Sequence, residues 1–308
     1  MDDKLQNLVH GRETYVVYYG PDYILKRPLP TTLDADKPKW LAKQHRTKET
    51  IDLIRAVGNP RYNIPEMKFI NNDEFQILEE RAHGYPLTPE LFRNLNTRQR
   101  YEIIDSIASF LVDMNESRKV SELTPHKIAN DIKFSRLTKF VDEKMDNWFT
   151  ADETKTLARI RDEVGTFEYD THTAWSHGDL NSGNVLYDPL SSTISFIDFA
   201  EADYRFIYRD IFSPLQIELD IWNPVYQAYT KLHNKSLYEI PSPRSDKLRT
   251  IMKYRIICVL LRRIIKASDD LRATPQSDKG RTNNLNKVNF IRQQMKNIEY
   301  IEQAIKTK

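Results

Sequence analysis

The stretch "WSHGDLNSGNVLYDPLSSTISFIDFAEADYRFIYRD" (residues 175–210) constrains the fold of this chain more than any other. It is strand-like, and the segments on both sides have helical spacing. "NVLYD" and "TISFIDF" are rich in β-branched and aromatic residues, and "PLSS" joins them, so the pattern predicts a β-hairpin. Asn184 opens the first strand and Asp198 closes the second. A tight hairpin sets these two side by side, with Asp179 on the loop just before. Asp and Asn also favour ordinary turns, so the stretch alone leaves an acidic turn set open as a second reading.

The chain before it changes character once. "TYVVYYG" and "YILKRPL" flank Gly20-Pro21-Asp22 and read as a hairpin. Residues 38–56 place Leu41, His45, Ile51, Leu53 and Ile54 at near-helical spacing, ending at Gly58-Asn59-Pro60. "IPEMKFIN" and "EFQILEE" form a second hairpin around Asn71–Asp73. "RAHGYPLTPE" (81–90) then breaks the pattern, and helices follow. Residues 97–117 put Tyr101, Ile104, Ile107, Ala108 and Leu111 on one face, with Thr97 as the N-cap. Residues 130–168, 211–233, 244–267 and 285–306 are also expected to be helical, and 273–284 to be a polar loop. The 175–210 stretch is expected to be the only strand region after residue 90.

With 308 residues, a prior of about 150 per domain suggests two lobes. The boundary expected from the pattern change separates a strand-rich region 1–82 from a helical body 83–308. The net charge of +2 does not point to nucleic acid as the partner. A single cysteine, Cys258, excludes an intrachain disulfide framework and reads as an inert core thiol. No apolar run approaches the ~20 residues that cross a bilayer, and the N-terminus lacks an apolar signal core, so a cytoplasmic protein without a membrane partner is expected. Eight glycines are too few for a long Gly-rich phosphate loop.

His177-Gly178-Asp179 with Asn184 and Asp198 suits phosphoryl transfer. That reaction needs an acceptor hydroxyl held by a group able to take its proton, and divalent cations held by hard oxygen ligands. Asp179 fits the first need, Asn184 and Asp198 the second.

In "HGDLNSGNVL" and "FIDF" the chain resembles the aminoglycoside phosphotransferase and choline kinase family, relatives of the protein kinases. The resemblance extends in order over about residues 10–212. It implies an α+β, two-lobed protein-kinase-like fold, with a small β-rich N-lobe and a larger helical C-lobe. It also implies an ATP-dependent (or GTP-dependent) phosphotransferase using Mg²⁺ and acting on a small-molecule hydroxyl: a sugar, an amino alcohol or an aminoglycoside-like compound. By the same resemblance Lys26 in "YILKRP" contacts the nucleotide phosphates and Glu49 in "HRTKETIDLI" pairs with it. The backbone of Glu80, Arg81 and Ala82 then meets adenine. Asp179 orients the acceptor, Asn184 and Asp198 carry metal, and His177 and Asp210 support the loop. Taken singly, Lys26 also reads as a surface strand lysine and Glu49 as part of a solvated helix face.

The chain departs from the family's pattern in places. The first turn, "HGRETYVV", has one glycine, Gly11. Met114-Asn115 stands where the family has Leu-His, and Asp198-Phe-Ala does not end in Gly. Glu201 and Asp203 are candidate further acids near the metals. Glu218, Asp220, Trp222 and Tyr226 are candidates for an acceptor pocket, with core packing the alternative for the two aromatics. From Arg244 onward sixteen Lys/Arg face six Asp/Glu, which reads as a solvated set of helices. The rivals are a non-catalytic nucleotide-binding protein and a kinase acting on a protein. The short interval between Asp198 and Asp210 leaves little room for the docking segment a protein kinase needs.

Overall fold

The structure, a computed structural model, describes residues 9–10, 14–131, 134–142, 149–233, 246–273, 286, 288–296 and 298. The chain opens with strands β1 (Val9–His10), β2 (Thr14–Tyr19) and β3 (Tyr23–Pro28). Gly20 turns at φ 73° between β2 and β3, where a side chain would be strained. Helix α1 (Lys37–Val57) follows, then β4 (Met67–Asn71) and β5 (Gln76–Glu80). These strands form one antiparallel sheet in the order β1-β2-β3-β5-β4. The expected first turn at residues 11–13 lies outside the described residues.

Helix α1 has the expected span but is rolled about its axis. Its buried residues are Trp40, Gln44, Thr47, Thr50, Ile51 and Ile54, while His45 and Leu53 are exposed. The threonines tolerate burial because their hydroxyls donate to the helix's own carbonyls, Thr47 to Lys43 O and Thr50 to Arg46 O, each at 3.0 Å. Periodicity of apolar residues therefore mislocated the inner face.

Strand β6 (Tyr85–Pro86) leads into α2 (Pro89–Asn94) and α3 (Thr97–Glu116). The N-cap of α3 is Asn96 rather than Thr97. Its side chain accepts from Gln99 N at 2.9 Å, and Gln99 Oε1 accepts from Asn96 N at 3.1 Å, a reciprocal capping box. Tyr101 is 64% exposed, and the inner face runs instead through Ile103, Ile104, Ile107, Phe110 and Leu111. Next come β7 (Thr124–Lys127), α4 (Phe134–Asp142), α5 (Ala151–Thr166), β8 (Glu168–Thr171) and β9 (Thr173–Ser176). The hairpin is β10 (Val185–Asp188) and β11 (Thr193–Phe196). Strand β12 (Asp203–Phe206), α6 (Tyr208–Ile211), α7 (Pro214–Glu218), α8 (Trp222–Leu232) and α9 (Asp246–Ala273) complete the named elements. Strands β7 and β8 correct the expectation of a single strand region; each has four residues, too short to show a period. Almost all of the polar loop expected at 273–284, and parts of the last expected helix, lie outside the described residues.

Contacts gather the chain into two compact units. One joins Met1–Val120 to Thr173–Tyr238, and the other joins Ser121–His172 to Glu239–Lys308. The boundary expected at residues 82–83 falls inside the first unit. Backbone pairing accounts for this. Strand β6 pairs with β10, and Asn63 exchanges hydrogen bonds with β11, Asn63 N to Ile194 O at 2.8 Å and Phe196 N to Asn63 O at 3.1 Å. Gly84, at φ 106°, lies where a Cβ would meet Tyr187 O at 2.5 Å, so only glycine allows that approach. In the second unit β7 pairs with β8, and Cys258 is buried on α9.

The first unit's core seats the hairpin on α3. Phe110 of α3 stacks on Phe196 of β11 with ring centroids 3.8 Å apart, and Tyr62, Phe199 and His177 close around the pair. Asn115 donates to Trp175 O and accepts from Tyr229 Oη, both at 2.9 Å, so it bridges α3, β9 and α8. Tyr226 and Tyr229 are fully buried, which assigns both to the core and removes Tyr226 from an acceptor pocket.

Candidate active site

Strand β9 delivers the chain to the loop that carries Asp179. Pairing with β12, from Asp203↔Ser176 to Phe206↔Thr173, brings Asp210 close behind that loop. The Asp210 carboxylate accepts from His177 N at 2.6 Å and from Gly178 N at 3.2 Å. Asp210 is 2% exposed, so the loop's two buried N–H groups are satisfied by a buried carboxylate. The Arg209 guanidinium donates to Gly178 O at 2.9 Å. Gly178 holds φ 82°, and a Cβ there would meet Glu201 O at 2.4 Å.

The His177 ring is buried. Its Nε2 lies 2.9 Å from Ile197 O. A carbonyl only accepts, so Nε2 carries the proton, and Nδ1 is left to accept from Asp179 N at 3.4 Å. His177 thus ties the Asp179 loop to the end of the hairpin, and both of its ring nitrogens are engaged in doing so.

Asp179 is exposed. Asn184 Nδ2 donates to Asp179 O at 2.8 Å and to its Oδ2 at 3.2 Å. Asn181 shapes the intervening turn by accepting from Gly183 N at 2.8 Å. Strand β10 pairs with β11 from Val185↔Phe196 to Asp188↔Thr193, and Ile197 N donates to Asn184 O at 3.0 Å. Asn184 therefore faces the residue before Asp198 at the open end of the hairpin, with Asp179 hydrogen-bonded beside it. Asp198 has φ 62° and ψ 65°, a left-handed conformation uncommon outside glycine, and is exposed.

These groups fit a hard divalent cation. Because Asn184 uses its amide nitrogen toward Asp179, its oxygen is left for a metal. The Asp198 carboxylate accepts no hydrogen bond among the described residues. Mg²⁺ characteristically takes one or two carboxylate or amide oxygens from the protein and the remainder from phosphate and water. No group of three or more His, Cys, Asp or Glu side chains is placed to hold a metal among the described residues.

Lys26 is placed differently from expectation. Its Nζ lies 2.6 Å from Glu79 Oε2, while Glu49 is on the exposed side of α1. The roll of α1 that buries Gln44, Thr47 and Ile51 turns residue 49 outward, so the expected Lys26–Glu49 pair does not form. Register explains the observed one. Lys26 lies opposite Ile77 and Ile24 opposite Glu79, so Lys26, Ile24, Ile77 and Glu79 share one face of the sheet. The sequence signal was available: in "QILEE", alternation puts Glu79 on the same face as Ile77, and an acid on an interior strand face requires a cation.

At the end of β5 most of the expected hinge donors are already engaged. Glu80 N donates to Glu66 O at 2.9 Å and Arg81 N to Asp22 O at 2.8 Å. The Glu80 carboxylate accepts from Glu66 N at 2.9 Å and pairs with Lys68 at 3.1 Å. Ala82 N alone of the three donates to nothing among the described residues. Glu201 pairs with Lys43 of α1 at 3.0 Å, and it shares with Asp203, Arg46, Trp175 and Arg205 the wall of a cavity of about 370 Å³. The ion pair with a helix lysine is the contact observed for Glu201.

A sequence model of the phosphotransferase enzyme family matches residues 4–239. The chain belongs to that family. An ethanolamine kinase of Drosophila melanogaster is 26% identical over 193 residues, 53% of this chain and 36% of that protein. The chain thus matches about a third of that relative's length. Several solved structures share the fold. The GDP complex of aminoglycoside 2'-phosphotransferase-IIIa superposes with a TM-score of 0.62 at 14% identity, covering 96% of this chain and 94% of that one. A choline/ethanolamine kinase family protein of Mesorhizobium loti gives 0.58 at 12% identity, covering 100% and 95%. Spectinomycin phosphotransferase with ADP and spectinomycin gives 0.58 at 15% identity, covering 96% and 93%. This phosphotransferase-family chain has the protein-kinase-like fold, with a small sheet region and a mainly helical remainder. No helix among its described residues is long and apolar enough to cross a membrane.

Proposed function

We propose that the protein transfers the γ-phosphate of ATP, or of GTP in its place, to a hydroxyl of a small molecule. The observation that carries this reading is the meeting of Asp179, Asn184 and the Asp198 end of the hairpin at one exposed point. Asp179 orients the acceptor hydroxyl and takes its proton. Asn184 and Asp198 would hold Mg²⁺, which neutralises phosphate charge and aligns the triphosphate when bound. Lys26 binds phosphate oxygens, and Ala82 N is the hinge donor for the purine. Asp210 and His177 hold the Asp179 loop in place, so the chain contributes chiefly positioning and electrostatics.

The acceptor class we favour is a small amino alcohol or sugar. The similarity to an ethanolamine kinase supports the amino alcohol, and the fold shared with aminoglycoside and spectinomycin phosphotransferases keeps polyhydroxylated amines in the panel. The test is Mg²⁺-dependent ATP consumption against ethanolamine, choline, simple sugars and aminoglycosides. One acceptor is expected to raise consumption above the water background, and Asp179→Asn to lower that rate by about 10²–10⁴-fold, the range of a positioned general base. A rate untouched by Asp179→Asn would contradict the role given to Asp179.

A further inference from the structure

We infer that Glu79, a strand residue, is the acid that positions Lys26 for the nucleotide phosphates. The inference rests on the phosphotransfer reading above and adds a residue to it. The geometry is direct: Glu79 Oε2 lies 2.6 Å from Lys26 Nζ, with the two side chains 5% and 20% exposed. A lysine ammonium has three N–H donors. One is committed to Glu79, which fixes the end of an otherwise flexible four-carbon stem, and two are left for phosphate oxygens.

Two further observations separate this pair from a generic structural salt bridge. First, its neighbours on the same sheet face are Ile24 and Ile77, with Ile77 fully buried. An aliphatic side chain at residue 79 would suit that surface, and replacing a buried ion pair by apolar residues is often neutral or stabilising. Stability alone therefore gives no reason for an acid there. Second, the buried face of α1 carries no acid at all: Trp40, Gln44, Thr47, Thr50, Ile51 and Ile54 occupy it. The helix has no inward carboxylate to offer Lys26. Lys26 and its partner lie in hydrogen-bonded neighbouring strands, β3 and β5, so the orientation of Lys26 does not depend on where α1 sits.

The experiment compares wild type, Lys26→Met, Glu79→Gln, Glu79→Asp and Glu49→Gln by steady-state ATP turnover with Mg²⁺ and by thermal denaturation. Gln keeps the shape and hydrogen-bonding capacity of Glu79 and removes its charge. Glu79→Gln is expected to lower kcat at least about tenfold with KM for ATP changed much less, because a misplaced phosphate contact is lost mainly in the transition state. Glu79→Asp should recover part of the loss, and Glu49→Gln should stay within about twofold of wild type, as an exposed residue outside the site. Wild-type kcat in Glu79→Gln, or an equal loss in Glu49→Gln, would overturn the assignment. If Glu79→Gln does not fold, Glu79→Asp carries the test: the charge on a shorter arm must give a kcat between those of Lys26→Met and wild type. Failure of the phosphotransfer reading looks different, since Lys26→Met would then turn over ATP like the wild type, or the wild type would not turn it over at all.

Discussion

The β10–β11 hairpin and the β3–β5 strand pair each bring a proposed site residue to its partner, and they do so over different distances in sequence. Asp179, Asn184, Asp198 and Asp210 come from one stretch. Its contacts are set by a short turn, a hairpin register and a brace between neighbouring strands. Lys26 and Glu79 are 53 residues apart and meet because two strands pair in a particular register. The local arrangement leaves little freedom once the hairpin forms. In the distant one the partner could have come from a helix or from the sheet, and the roll of α1 decided it.

The largest effect is expected on the hairpin side. Asp210→Ala leaves the His177 and Gly178 N–H groups buried without acceptors, at about 1–3 kcal/mol each. Chemical denaturation should show a loss of several kcal/mol, with ATP turnover lost alongside. The strand pair should behave in the opposite way. The double variant Lys26→Met/Glu79→Leu should keep stability within about 1 kcal/mol of wild type, or gain some, while losing turnover. A double variant that unfolds would make the pair a structural element and bring the two regions level.

The smallest effect lies outside both regions and serves as a control. The hydrogen bond from Arg292 holds the Glu153 carboxyl below its usual value of 4.5. A depressed acid stabilises the folded state above its unfolded value and loses that contribution as pH falls through the folded one. The melting-temperature gap between wild type and Glu153→Gln should therefore be present near pH 7 and close as the pH drops well below about 4.5. ATP turnover at pH 7 should be the same in both. A gap that widens toward acid pH would contradict the sign.

The contrast also explains what could be read from the amino-acid sequence. Spacing alone brought Asn184 toward Asp198 and left Asp179 beside them, because a hairpin has few registers and its loop is short. The ordered similarity singled out Lys26 and residues 80–82 as nucleotide contacts. It misassigned Glu49, since the inner face of α1 is lined by threonines whose hydroxyls are satisfied within the helix, and a count of apolar residues cannot see that. The same reasoning put Tyr101 inside. Four-residue strands such as β9 and β12 carry too little pattern to detect, yet β12 is what brings Asp210 behind the loop. Glu79 was legible in principle, from alternation in β5, once an acid on an interior face was taken as a demand for a cation.

The central claim is that Asp198 and Asn184 form one nucleotide-dependent cation site beside Asp179. The most direct measurement is an electron paramagnetic resonance titration of Mn²⁺, standing in for Mg²⁺, into the protein with and without ADP. The wild type is expected to bind Mn²⁺ tightly only with ADP present. Asp198→Asn and Asn184→Ala should each weaken that binding at least about tenfold, and Asp179→Asn should leave it nearly unchanged, as expected for lost and retained metal ligands. Mn²⁺ binding indifferent to Asp198→Asn and Asn184→Ala would contradict the account.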